Sequence, residues 1–214
     1  MAVEIPYRRE LDFEYGRVDT LAPGVRRVIA NNPGPFTFSG TGTYILGTGR
    51  VAVIDPGPDD QEHINAILAA LEGESISHIL VTHTHMDHSP GCKKLKAICN
   101  APTYAYGRHG AGKIEQGINV EEGGDMDFDP DHIVRHGDII DGENWSVECV
   151  YTPGLPLTTC VSHCRNKKRS SLVTTSWAGQ PVLCHRRMAT CPITWTVWSY
   201  YWIAMTWSIG RPMD

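Results

Sequence analysis

Apolar and β-branched residues come in short runs over the first two thirds of the chain, separated by turns that contain glycine. Residues 25–30, 43–46 and 51–55 form three such runs, and the segment GTGR at 47–50 supplies a turn between the last two. This pattern predicts a β-meander. Over residues 59–71 the period changes: Ile64, Ile67, Leu68 and Leu71 recur at helical spacing behind Pro58, Asp59 and Asp60, and Gly73 supplies the stop. An apolar run at 76–82 reads as a buried strand and leads directly into THTHMDH at 82–88. A helix at 92–98, a strand at 103–106, a polar glycine-rich stretch through Asp131 and a strand at 145–151 complete the readable part. Strands followed by alternating strands and helices predict a mixed α/β (α+β) domain.

Composition interrupts this picture near residue 154. Up to Gly154 the chain carries 23 acidic and 12 basic residues, whereas from Leu155 onward it has seven basic residues and one acid, Asp214. Five of the six tryptophans also lie in that tail, and no Gly/Ser or Pro linker marks the change. The expected organisation is therefore one domain whose first part spans 1–154 and whose remainder, 155–214, is aberrant. A formal net charge of -5 gives no global attraction to nucleic acid or anionic membranes. The first 16 residues show no apolar signal core, and seven irregularly spaced cysteines without a CxxC pair suggest reduced thiols. A cytoplasmic location is the expectation.

His83, His85, Asp87 and His88 place four candidate metal ligands within six residues at the end of the buried strand. In extended backbone, alternate side chains share a face, so His83 and His85 can grip one ion together while Asp87 and His88 turn toward a neighbouring position. Imidazoles and a carboxylate suit Zn²⁺, with Mn²⁺ or Fe as the other candidates, and such ions activate water for hydrolysis at neutral pH. His63, His78, His109, His132 and His136 have no partners at ligand spacing and read as surface or structural residues.

These residues resemble the metallo-β-lactamase superfamily, in its branch of glyoxalase II-like and β-lactamase-like hydrolases. The resemblance rests on the runs at 43–46 and 51–57 with IDPGP, on ILVTHTHMDHSPG, and on the strand that ends in YTPG at 151–154. It implies an αββα sandwich, and hydrolysis of an ester, thioester, lactam or phosphodiester by metal-bound hydroxide. By the same resemblance His83 and His85 would hold the first of two ions, Asp87 and His88 the second, and Asp87 would also handle protons. Asp55 falls where the family has a buried aspartate that orients the ligand loop; a plain turn residue is the alternative at that position. The substrate implied is a small molecule, with RNA also within the family's range.

The resemblance stops at Gly154. The family follows TPG with a ligand histidine, then an aspartate in a TGD-like motif and a histidine in an HG motif, but here Leu155 follows and neither motif appears. A one-base deletion from a CAT codon after Gly154 accounts for the Gly-Leu-Pro that is present. Back-reading the tail in the alternative frame permits all three motifs in order. Single-codon residues leave no choice in that frame: Trp195-Thr196, Trp202-Ile203 and Met205-Thr206 each give Asp, while Trp177-Ala178, Met188-Ala189 and Met213-Asp214 each give Gly. The expectation is a frameshifted second half and a chain with impaired activity, because three metal ligands are missing.

Two other readings compete. GRHGAGK, from Gly107 to Lys113, fits a phosphate-binding loop, although Ile114 stands where the motif needs Ser or Thr. Residues 188–210 carry no charge and four tryptophans, which suits a membrane-associated, non-catalytic protein if the tail is genuine; otherwise no membrane partner is expected.

Overall fold

The computed structural model describes residues 12–111 and 123–149 with their side chains, and the backbone of several strands as far as residue 181. A seven-stranded sheet runs in sequence order: β1 (Val18–Ala22), β2 (Val25–Ile29), β3 (Gly42–Leu46), β4 (Arg50–Ile54), β5 (Ser75–Leu80), β6 (Thr103–Ala105) and β7 (His132–Ile133). The first four strands pair antiparallel and the last four parallel. Helices α1 (Gln61–Ala69) and α2 (Gly91–Cys99) make the crossovers from β4 to β5 and from β5 to β6. A second, antiparallel sheet has the order β11-β10-β9-β8, from β8 (Ile139–Asp141), β9 (Ser146–Tyr151), β10 (Cys160–Arg165) and β11 (Ser171–Thr174). Two short strands, β12 (Ser176–Trp177) and β13 (Gln180–Pro181), pair with each other.

The central strands are apolar at consecutive positions because both faces of the sheet are covered. Tyr44, Leu46, Ala52, Ile54 and Leu80 face one core, shared with Ile140, Val147 and Cys149 of the second sheet and with Trp145 between β8 and β9. The alternate residues Ile45, Val51, Val53, Ile79 and Val81 face the other, against Ile64 and Ile67 of α1, Leu71 just after it, and Leu95 of α2. Ile45, Val53, Ile64, Ile67, Ile79 and Leu95 are all fully buried, and each contributes about 1.5–3 kcal/mol relative to exposure. Among the described residues the layering is helix, sheet, sheet, three of the four layers of the αββα sandwich expected from the sequence.

Helix α1 is shorter than the periodicity suggested because Asp60 is its N-cap, accepting the Glu62 backbone N–H. Helix α2 begins at Gly91, where the chain passes so close to the β4 exit that a Cβ would lie 2.6 Å from the Pro56 carbonyl oxygen. The Gly91 N–H donates to the Gly57 carbonyl at 2.9 Å, so the two loops that leave β4 and β5 are joined. Strands β1, β7 and β8 were not foreseen; β1 and β7 bury too little to show an apolar period. Most of the tail from Leu155, including residues 188–210, and the lysine of GRHGAGK lie outside the described residues. Among the described residues no helix is long and apolar enough to cross a membrane.

Candidate metal centre

The histidine cluster and Asp55 meet at the carboxyl ends of the parallel strands β4 and β5, where an open α/β sheet leaves a crevice between diverging loops. Asp55 follows β4 in the left-handed region, at φ 50, and its N–H donates to the Leu80 carbonyl at 2.9 Å. Its side chain is buried. Oδ1 accepts the Thr82 N–H at 2.8 Å, while Oδ2 accepts the Thr82 hydroxyl at 2.6 Å and lies 3.1 Å from His88 Nδ1.

Proton counting at this carboxylate fixes the histidines. Ionised aspartate only accepts, so His88 carries its proton at Nδ1 and donates it to Asp55. The single proton of Thr82 is spent on Asp55, so the oxygen can only accept from His83 Nδ1, 3.0 Å away. Both rings therefore turn Nε2 away from the Asp55 network. His88 Nε2 lies 3.1 Å from Asp87 Oδ2, and the His83 ring centroid is 4.0 Å from that of His88 and 4.9 Å from that of His85. The structure thus brings all five sequence-predicted residues into one cluster.

Several residues outside the motif hold this cluster. Thr41 donates from Oγ1 to Asp87 Oδ2 at 2.9 Å and is itself fixed by Asn32, whose Oδ1 accepts the Thr41 N–H at 2.8 Å. Residues 123–125 run beside the motif: Met86 N–H donates to Gly123, Asp125 N–H donates to Thr84, and Asp125 Oδ2 accepts the Ser89 hydroxyl at 2.8 Å. Thr84 Oγ1 meets His109 Nδ1 at 2.9 Å, which places His109 beside the cluster, its ring centroid 6.3 Å from that of His85. His109 is buried, as is His63, which pairs with Thr43. His78 and His132 pack on Tyr104 instead, and His136 is exposed.

Burial, reinforced by the neighbouring His88 and His85, pushes the His83 pKa well down, so its ring is neutral. Burial opposes ionisation of Asp87, but the hydrogen bond and charge of His88 and the Thr41 hydroxyl outweigh it and hold the carboxyl below its usual range. Burial also opposes charge on His88, yet Asp55 and Asp87 on its two sides raise its pKa to about 9. A cation at this position would take over the role of that proton.

The donors, three imidazoles and a carboxylate, fit a metal in kind. Two ligands of a tetrahedral ion at zinc distances lie about 3.3 Å apart, close to the separation of Asp87 Oδ2 and His88 Nε2. Among the described residues, however, no three His, Cys, Asp or Glu side chains surround a single point.

Known proteins share this fold. The family model of the metallo-beta-lactamase superfamily matches residues 37–169. An atrochrysone carboxyl ACP thioesterase of Cryptosporiopsis sp. (strain 8999) is 34% identical over 142 residues, covering 64% of this chain and 38% of that protein. A beta-lactamase-like protein 2 homolog of Caenorhabditis elegans is 41% identical over 82 residues, covering 36% of this chain and 28% of that protein. The chain thus spans well under half the length of these curated relatives. Among solved structures, a metallo-beta-lactamase from Cronobacter sakazakii superimposes with a TM-score of 0.59 at 20% identity, covering 74% of this chain and 63% of that one. A subclass B3 metallo-beta-lactamase of Bradyrhizobium japonicum gives 0.52 at 17% identity, covering 73% and 61%. Both show the shared fold.

Proposed function

Because the chain belongs to the metallo-beta-lactamase superfamily, a group of hydrolytic enzymes, we propose that its THTHMDH loop holds the metal centre of a hydrolase that cleaves a thioester. The observation that carries the metal reading is the shared Asp55 network, which holds the Nδ1 protons of His83 and His88, so that His83 Nε2 can ligate directly and His88 Nε2 can do so once a cation displaces the proton it shares with Asp87. In this reading His83 and His85 hold one ion, and Asp87 and His88 the other. Zinc suits the donor set best, with manganese or iron as alternatives. When bound, the ions supply a Lewis acid and bring the pKa of a water near neutrality.

The protein's own groups do the rest. Asp55 holds the rings of His83 and His88, and Thr41 orients Asp87 by donating to Oδ2. Asp87 Oδ1 remains to accept a proton from the attacking water and pass it to the leaving thiolate. The thioester preference draws on the thioesterase relatives, and exposed Met86 and Met126, on the loops that carry His85, Asp87 and Asp125, offer apolar surface to a small acyl substrate. A β-lactam ring is the second candidate, from the fold neighbours.

The chain as it stands is proposed to be weak in this activity. Two donors per ion leave both coordination spheres open, and the aspartate and histidines that would close them lie in the alternative reading frame after Gly154. Two experiments test this. Resequencing the gene across the codons for Gly154 and Leu155 should reveal the missing base. Zinc-loaded chain with the frame restored should then release thiol from acyl thioesters, and the His88→Ala variant should not. Equal rates in these two proteins would refute the proposed centre.

A further inference from the structure

His63 sits on α1, one layer behind the metal loop, yet hydrogen bonds connect it to the centre. Thr43 Oγ1 lies 2.6 Å from the Asp55 carbonyl oxygen and 2.7 Å from His63 Nε2. The carbonyl can only accept, so the one hydroxyl proton of Thr43 goes to Asp55, and the hydroxyl oxygen must receive a proton from His63. His63 is thus the Nε2–H tautomer. Burial lowers its pKa to about 4, which keeps the ring neutral in this role at neutral pH. The ring also lies against the turn after β4: a Cβ at Gly57, which has φ +88, would come within 2.8 Å of His63 Cδ2.

The acceptor of this chain is a strained residue. Asp55 adopts φ 50, a conformation disfavoured for a residue with a Cβ, and it persists only where surrounding bonds over-determine it. Its N–H is fixed by Leu80 and its carbonyl by Thr43. The carboxylate on the same residue receives Thr82 and His88. A rotation of the Asp55 peptide would therefore turn the carboxylate and both imidazoles that depend on it.

We propose that His63 is a positioning residue: through Thr43 it locks the left-handed backbone of Asp55, and so sets the direction in which His88 and His83 present Nε2 to the metal. The metal part of this inference rests on the function proposed above; the effect on His88 does not.

The test uses the full 214-residue chain with His63→Leu, His63→Gln, Thr43→Val and Ile67→Val. Glutamine places an N–H close to the position of His63 Nε2, and Ile67→Val weakens the same helix without touching the relay. In the metal-free proteins, the Nδ1 proton of His88 is followed by NMR with labelled histidine. Its resonance should shift and exchange faster in His63→Leu and in Thr43→Val, and should be native in His63→Gln and Ile67→Val. Zinc dissociation constants from chelator competition should weaken about tenfold in the first pair and stay within about threefold in the second, the range seen for groups that orient metal ligands. If His63→Leu does not fold, Thr43→Val carries the same decision. A native His88 resonance in a folded His63→Leu or Thr43→Val protein would overturn the proposal. Failure of the chain with its frame restored after Gly154 to bind zinc, with the resonance still shifted in His63→Leu, would refute the metal reading and leave the positioning of His88 standing.

Discussion

Replacing Asp55 by Asn changes one atom and one charge, and the geometry predicts a large effect on the metal site. The Thr82 N–H can still donate to the remaining amide oxygen. The other position, where Oδ2 accepts from Thr82 Oγ1 and His88 Nδ1, becomes an NH₂ facing two donors. To avoid that conflict Thr82 must accept from the amide and give its proton to His83 Nδ1, while His88 must lose its Nδ1 proton. Both imidazoles then carry hydrogen at Nε2, which blocks ligation. Losing one outer hydrogen bond to a metal ligand costs about tenfold to a hundredfold in affinity, so an effect on two histidines should reach about a hundredfold or more. Two charge-assisted hydrogen bonds are lost at about 1.5–3 kcal/mol each, and re-pairing recovers part, so the metal-free protein should lose about 2–4 kcal/mol. Chelator competition at pH 7.5 measures the first quantity and urea unfolding the second. A folded Asp55→Asn protein that binds zinc within about threefold of the parent would show that the tautomer argument is wrong.

Further consequences concern pH and packing. Burial lowers the His63 pKa from its ordinary 6.5 to about 4 in the folded state, so the unfolded chain takes up its proton first as the pH falls. Its contribution is therefore present above about pH 6.5 and lost toward pH 4. Between pH 7 and pH 4.5 the parent should lose about 2 kcal/mol more than His63→Gln in urea unfolding, and equal losses would contradict a buried neutral ring. In Gly124→Ala the new Cβ would lie 2.1 Å from the His109 ring, so His109 must leave Thr84. Overpacking of this kind costs about 1–3 kcal/mol, and an unchanged melting temperature would rule out the close approach. Thr41→Val removes the hydroxyl that donates to Asp87 and should weaken zinc binding about tenfold with little change in stability.

The sequence revealed the central strands, both crossover helices and the histidine cluster for physical reasons. Strands β3 and β4 bury apolar residues on both faces, and Ile64, Ile67 and Leu71, in and just after α1, repeat at helical spacing, so burial left a local pattern. The histidine cluster is legible because its four candidates are contiguous. The supports of that cluster are not contiguous: Thr41 reaches Asp87 across 46 positions, Asp125 reaches Ser89 across 36, and His109 reaches Thr84 across 25. None leaves a local signal. One cue was present in THTH itself. Its two threonines alternate with the histidines, and the structure uses Thr82 for Asp55 and Thr84 for His109. Asp55 could equally have been a plain turn residue, and only the tertiary fold places its carboxylate among Thr82 and His88. The glycine-rich stretch that ends at Asp131 gave no sign that residues 123–125 run beside the motif.

Zinc binding measured side by side on the 214-residue chain and on the chain with its frame restored after Gly154 tests the account most directly. If THTHMDH is half of a two-metal centre, the restored chain should bind two zinc ions per molecule. The 214-residue chain should bind zinc at least about a hundredfold more weakly, with the remaining affinity abolished by His83→Ala combined with His88→Ala. Equal affinity and stoichiometry in the two chains, or residual zinc binding untouched by the double substitution, would contradict it.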